Sequence, residues 1–366
     1  MPTPISTSYN TCRAIIDLAA LRFNLAQVKN AVGNSQVMAV IKADAYGHGL
    51  VAVAKALSPH VQGMAVARLK EALELRKHGI NNRLLLLGSL IDEQELKACA
   101  EHNIDIVIHS TDGVQRLLQT PLTRAVNVWL KVDVGMHRLG LSPEQLVDSY
   151  HQLSESNNAA SLVLMCHFSS ADDESPVTGQ QLNNFDDITR AFDSQRSAAN
   201  SAAILTQPSS HYDWVRPGIV LYGANPVPDY CNVELKPVMT LKAKVIAIRE
   251  LEPDRGVGYN HRWISSRHTR LATVAIGYAD GYPRHAKDGT PVLVNGQYAK
   301  LAGRVSMDLI TVDISDCGTV DIGDEVTLWG QGLPAEQVAA YADTISYQLF
   351  TSTAGRVCKH YINEQS

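Results

Sequence analysis

One alternation governs the first part of the chain. Over about 230 residues, short apolar runs recur roughly every 25 residues, with amphipathic stretches between most of them. The runs fall at 13–17, 37–42, 64–67, 84–87, 104–108, 126–132, 162–167 and 219–222. Leu18, Leu21, Leu25, Val28 and Val32 keep the spacing of a single helical face. The stretch from Arg68 to His78 stops at Gly79, and Ser142-Pro143-Glu144 reads as a helix start with proline in the first turn. Repeated strand–helix units predict a parallel sheet with helices outside it. An open doubly wound sheet gathers its ligand residues at one switch point, commonly beside a glycine-rich phosphate loop. No G-x-G-x-x-G follows the first run. Lys42, Arg138, His167, Asn200 and Arg216 instead follow several different runs. Sites drawn from strand ends all round a ring belong to a (β/α)₈ barrel. The expected fold class is therefore α/β, with a TIM-like barrel first.

After about Leu235 the texture becomes β-rich, with runs at 240–248, 271–276, 291–294, 298–301, 310–314 and 325–329. Asn295-Gly296 between two of them is a hairpin signal, because both residues tolerate positive φ. The expected organisation is a barrel over 1–235 and a mostly antiparallel β domain over 236–366. With 366 residues, both can bury sizeable cores. A net charge of −5 offers no basic footprint for nucleic acid. No apolar run is long enough to cross a bilayer, and the polar first eleven residues show no secretory signal. The six cysteines are scattered, and no C-x-x-C pair suggests a zinc site or a disulfide framework. No metal site is expected, and a reducing, cytoplasmic compartment is.

Lys42 ends a buried-strand pattern, ahead of a turn containing Gly47 and Gly49. Burial lowers an amine's pKa and makes it a usable nucleophile, though a lysine at a strand end also simply reaches for water. Arg138, in a loop with glycines at 135 and 140, suits a bidentate carboxylate clamp or a structural ion pair. His167 suits acid–base work, ring stacking or a satisfied place in the core. Asn200-Ser201 opens a helix-like run, as a phosphate site or as a plain cap. Arg216 precedes Pro217-Gly218-Ile219, where glycine lets backbone approach a ligand closely. In the β-rich part, glycine-bracketed loops present Tyr259, Tyr278, Met307 and Asp308.

Taken in order, AVIKADAYGHG, LKVDVGMHRLGL, CHFSSAD, NSAA, WVRPGIVLYG, GVGY, AIGYADGYPR, GRVSMD and TISYQL resemble the pyridoxal-phosphate-dependent alanine racemases over almost the whole chain. The resemblance implies a barrel followed by a β domain, with the first strand, near 11–17, a candidate to join the second. It implies a homodimer whose active sites borrow loops from the partner. Lys42 would hold pyridoxal 5'-phosphate as an aldimine. Tyr46, Ser201, Gly218, Ile219 and Tyr347 would bind the phosphate, Arg216 would face the pyridine nitrogen, and Asn200 and His167 would complete the cofactor site. Arg138 and the Met307 backbone would hold the substrate carboxylate. Asp172, Tyr278, Arg284 and Arg304 would line the substrate entrance. Lys131 matches a family lysine that carries a carbamate.

The chemistry explains the parts list. The cofactor accepts the charge left when the α-hydrogen departs. Racemisation then needs a base on each face, Lys42 for D-alanine and Tyr259 of the partner for L-alanine. A phenol with a pKa of about 10 needs cationic or hydrogen-bonding neighbours to act at neutral pH, and His167 and Arg216 are the candidates. Because a guanidinium keeps its proton, Arg216 should leave the pyridine nitrogen unprotonated and disfavour transamination. The rivals are a broad-specificity amino-acid racemase, a decarboxylase on the same architecture and a non-catalytic cofactor-binding protein. Tyr347 and Tyr278 favour a small pocket, and the Tyr259 loop favours racemisation. Supply of D-alanine for peptidoglycan is the expected role, with a catabolic one as the alternative.

Overall fold

The structure, a computed structural model, describes residues 11–88, 92–353 and 355–364. Most of the N-terminal stretch read for a signal segment, residues 1–10, lies outside them. The first strand, β1 (Cys12–Asp17), does not enter the barrel; it pairs with a strand of the second domain. Asp17 ends β1 and caps the helix Leu18–Val32, its Oδ1 accepting the Ala19 N–H at 2.9 Å. Eight parallel strands then close into a barrel: β2 (Gln36–Val40), β3 (Gly63–Val66), β4 (Arg83–Leu86), β5 (Ile104–Ile108), β6 (Val126–Lys131), β7 (Ala159–Met165), β8 (Gln195–Ser197) and β9 (Trp214–Val215). Helices lie between most of them. Pro143–Ser154 starts as its sequence indicated, with Ser142 and Gln145 in a reciprocal capping box.

The expected strand at 219–222 is a different element, and two barrel strands lie outside the expected runs. Ile219–Tyr222 is a fully buried 3₁₀ turn rather than a strand. A four-residue apolar run carries no period that separates the two. The strands that close the barrel, β8 and β9, are three and two residues long, too short to leave a pattern.

The second domain contains β10 (Met239–Leu251), the hairpin β11 (Gly256–Val257) and β12 (Trp263–Ile264), β13 (Thr269–Val274), β14 (Pro291–Val294), β15 (Gln297–Leu301), β16 (Ile310–Asp313), β17 (Glu325–Trp329) and β18 (Cys358–Ile362). Its main sheet runs β13-β16-β15-β14-β17-β10-β1-β18, and β10 also pairs with β13. Only the β1–β18 pairing in it is parallel. Asn295 and Gly296 turn the β14–β15 hairpin with φ of 49° and 79°. The helix Ser346–Ser352 leads from this domain back to the barrel, where its Phe350 carbonyl packs against Gly47. Among the described residues, no helix is long and apolar enough to cross a membrane.

Candidate active site

A cavity of about 860 Å³ opens at the C-terminal end of the barrel strands, where this architecture places its chemistry. Lys42, Tyr46, Lys131, Arg138, His167, Asn200, Ser201, Arg216, Gly218, Ile219 and Tyr347 all line it. Arg68, Gln348 and Thr351 line it too, and sequence reasoning missed them. Five of these residues are cationic, Lys42, Arg68, Lys131, Arg138 and Arg216, and no described lining residue is acidic. Lys131 and Arg216 are buried, and buried like charges without counter-ions are costly unless a ligand supplies the opposite sign. The cavity is built for anions.

The residues after Lys42 explain how it is aimed. β2 ends at Val40, and Ala43, Asp44, Ala45 and Tyr46 all sit in the left-handed region, at φ between 52° and 55°. A left-handed turn of L-residues costs about 1–2 kcal/mol per residue. Such strain survives only where surrounding contacts over-determine it. Here the Asp44 Oδ1 accepts the Leu50 N–H at 2.7 Å, and His48 Nδ1 lies 2.9 Å from the Tyr46 carbonyl. A Cβ on Gly47 would stand 2.1 Å from the Phe350 carbonyl oxygen, so that position admits only glycine.

Lys42, Lys131, Arg138 and Arg216 lower the pKa of neighbouring groups. Burial, then Arg138, pulls the Lys42 amine below its usual range, with Glu71 opposing. Burial, then Arg216 and Arg138, brings Lys131 down to about 8. Burial and the same cluster push His167 to about 3, so its imidazole is neutral. A neutral ring is no cationic neighbour for a phenolate. Burial lowers Arg216 only to about 10, still charged at neutral pH. Its Nη1 donates to Ser197 Oγ, and its Nη2 to the Cys166 and Ala198 carbonyls. Arg138 is exposed on a loop after β6 that Asp133 holds through the Gly135 and His137 N–H groups, both at 3.0 Å. Among the described residues, its guanidinium has no hydrogen-bond or ion-pair partner.

A cradle of two turn N-termini borders the same cavity. Ser201 opens the helix Ser201–Thr206, and Ile219 opens the 3₁₀ turn. The first N–H groups of such turns have no partner within them. Asn200 is also the plain cap, its Oδ1 accepting the Ala203 N–H at 3.0 Å. A Cβ on Gly218 would lie 2.5 Å from the Tyr46 hydroxyl, so glycine keeps the cradle open. Burial raises the Tyr46 and Tyr347 hydroxyls well above their usual range, and both stay protonated donors.

The remaining sequence candidates are elsewhere. Tyr259, Met307, Tyr278, Arg284, Arg304 and Asp172 do not line the cavity. Tyr259 and Met307 are 65% and 54% exposed on the β domain. The Met307 carbonyl accepts the Ala279 N–H at 2.9 Å, and among the described residues its own N–H has no acceptor.

Comparison with known proteins covers both domains. Models of the alanine racemase N-terminal and C-terminal domains match residues 16–226 and 238–361. The chain belongs to the alanine racemase family. An alanine racemase from Nitrosomonas eutropha is 45% identical over 355 residues, covering 95% of this chain and 98% of that protein. A catabolic alanine racemase from Pseudomonas putida is also 45% identical, covering 96% and 99%. The crystal structure of a biosynthetic alanine racemase from Pseudomonas aeruginosa superposes with a TM-score of 0.93 at 43% identity, covering 97% of this chain and all of that one. Family membership covers both domains, and with them both the cavity and the exposed loops.

Proposed function

We propose that the protein interconverts L-alanine and D-alanine, using pyridoxal 5'-phosphate held on Lys42. The carrying observation is the cavity lined by five cationic residues and no described acid, with a lowered-pKa lysine at its mouth and an unpartnered guanidinium beside it. A phosphorylated cofactor and a substrate carboxylate are the anions that such a site lacks. Ser201 and Ile219 offer N–H and hydroxyl donors to the phosphate, Gly218, whose N–H donates to Ser201 Oγ at 2.8 Å, lets the backbone come close, and Tyr46 and Tyr347 lie beside them. Arg216, its guanidinium fixed by Ser197, Cys166 and Ala198, would face the pyridine nitrogen and leave it unprotonated. Asn200 and neutral His167 complete the wall. When bound, the cofactor delocalises the charge left at the substrate α-carbon and so acidifies the α-hydrogen.

Arg138 clamps the substrate carboxylate and fixes the amino acid's orientation. Lys42 exchanges the α-proton on one face, serving D-alanine. Tyr259 of a second copy exchanges it on the other face, serving L-alanine, and the Met307 N–H of that copy assists at the carboxylate. The exposure of Tyr259, Ile264 and Met307 on one domain supports their burial in a homodimer. Asp172, Tyr278, Arg284 and Arg304 would then line the way in. Lys131 carries a carbamate in this reading: an amine titrating at about 8 is partly neutral at working pH and adds CO₂ with release of a proton. The carbamate supplies the anion that orients Arg138. Crystals grown without CO₂ depletion should show the extra density on Lys131, and density for a bare amine would sink this part.

The protein works in the cytoplasm and supplies D-alanine for peptidoglycan; six free cysteines suit a reducing compartment. Purified enzyme should absorb as a cofactor–lysine adduct, and borohydride should fix the cofactor on Lys42. Alanine should racemise well ahead of serine, lysine and arginine. Label on another lysine would overturn the assignment.

A further inference from the structure

The left-handed turn behind Lys42 rests on the other domain. Lys359 projects from β18, and its Nζ lies 2.7 Å from Asp44 Oδ2, the side chain 21% exposed. Asp44 is thereby held through its side chain and its N–H by three elements, while its carbonyl accepts the Gly49 N–H at 2.9 Å. Its other carboxylate oxygen accepts the Leu50 N–H that opens the helix Leu50–Leu57, and its own N–H points to Glu71 Oε1 at 3.4 Å. Glu71 spends its second oxygen on the Ala67 and Arg68 N–H groups at the end of β3. Two residues beyond Lys359, on the same face of the strand, the Tyr361 hydroxyl stands where a Cβ on Gly49 would be, 1.9 Å away. The edge of the β-domain sheet is therefore the seat of the turn.

We infer that Lys359 is a positioning residue for the cofactor lysine. By pairing with Asp44 it holds residues 43–46 in the left-handed form that aims Lys42 into the cavity, and the C-terminal strand becomes part of the cofactor site. A turn of four L-residues in this conformation has little reason to persist without outside contacts. Of the contacts on Asp44, the ion pair is the one supplied by the second domain. Lysine is suited to the job, because its long stem crosses from the sheet edge and its ammonium needs no fixed geometry.

The inference rests on Lys42 holding the cofactor, so the test separates the two. Borohydride reduction and peptide mapping on wild type, Lys359→Met and Asp44→Asn locate the modified lysine in each; label away from Lys42 defeats the reading of the site itself. With label on Lys42, release of pyridoxal 5'-phosphate is followed by absorbance during dilution. Asp44→Asn keeps the acceptor for Leu50 and removes only the charge. Each single variant should weaken retention about two- to fivefold, the range of a partly exposed ion pair. The double variant should lose no more than either single, and Lys359→Arg should recover most of the loss. Retention within experimental error of wild type in Lys359→Met, with only the melting midpoint lowered, would show a merely structural pair and overturn the inference. Additive losses in the double variant would do so as well.

Discussion

The two ends of the barrel treat buried charge in opposite ways, on the same strands. At the N-terminal end, Arg83 of β4 pairs with Asp105 of β5, which is 2% exposed. Asp105 also accepts from Asn127 Nδ2 at 2.8 Å and from Trp129 Nε1 at 3.0 Å. The Arg83 guanidinium lies over the Trp129 and Trp214 rings, 5.7 and 5.3 Å from their centroids. Two residues along β6 from Trp129, on the same face, is Lys131; two beyond Trp214 is Arg216. At that upper end, no acid lines the cavity among the described residues. Charge neutralised inside the protein closes one end as a plug. Charge left without a partner makes the other end a receptor, and the difference lies in which residues lack counter-ions rather than in how many are charged.

The strongest way to break this contrast is at the open end, through the residue that the cavity itself lacks. Tyr259→Phe should leave cofactor binding within twofold while racemisation falls roughly 10²–10⁴-fold, the usual worth of a positioned base. Solvent-deuterium exchange should persist from D-alanine and vanish from L-alanine. Activity near wild type would remove Tyr259 from the mechanism. The closed end should answer in the opposite currency. Asp105→Asn leaves Arg83 without its counter-charge and should cost about 3 kcal/mol of stability, while kcat at saturating cofactor changes less than twofold. A fall in kcat with the melting midpoint unmoved would mean that the plug and the receptor are not separate.

The legible parts of this molecule were those with repetition. The strand–helix alternation and the apolar runs of the β domain report on burial, and burial is periodic. The motif residues lining the cavity could also be read. Conformations without a compositional signal could not. Ala43, Asp44 and Ala45 are ordinary residues, and nothing in them announces a left-handed turn, because tertiary contacts from the helix Leu50–Leu57 and β18 impose it. β8 is Gln-Arg-Ser, a polar triplet that becomes a strand because the barrel must close. Gln348 and Thr351 reach the cavity on a helix from the other domain, a juxtaposition that no local pattern encodes. Arg68 shows the same limit: its place in the cationic set depends on the ring, while its own segment reads as a helix start.

A last test of the contrast concerns a third kind of buried titratable group, one that is neither paired nor waiting for a ligand. His48 is fully buried, its Nδ1 shared between the Ala45 and Tyr46 carbonyls and its Nε2 without a partner among the described residues. Burial holds it near 4, against 6.5 in an unfolded chain. A histidine with a depressed folded pKa favours the native state where both states are neutral. Below about 6.5 the unfolded chain takes up a proton that the folded one refuses, so the stability of the cofactor-free protein should fall with pH until about 4. Each such proton contributes roughly 1.4 kcal/mol per pH unit within that window. His48→Gln keeps a donor for the carbonyls and carries no titrating proton, so its stability–pH curve should be shallower by about that slope. Parallel curves for His48→Gln and wild type between pH 4 and 6.5 would mean that His48 is protonated in the folded state, and that the turn behind Lys42 is more open to water than its packing implies.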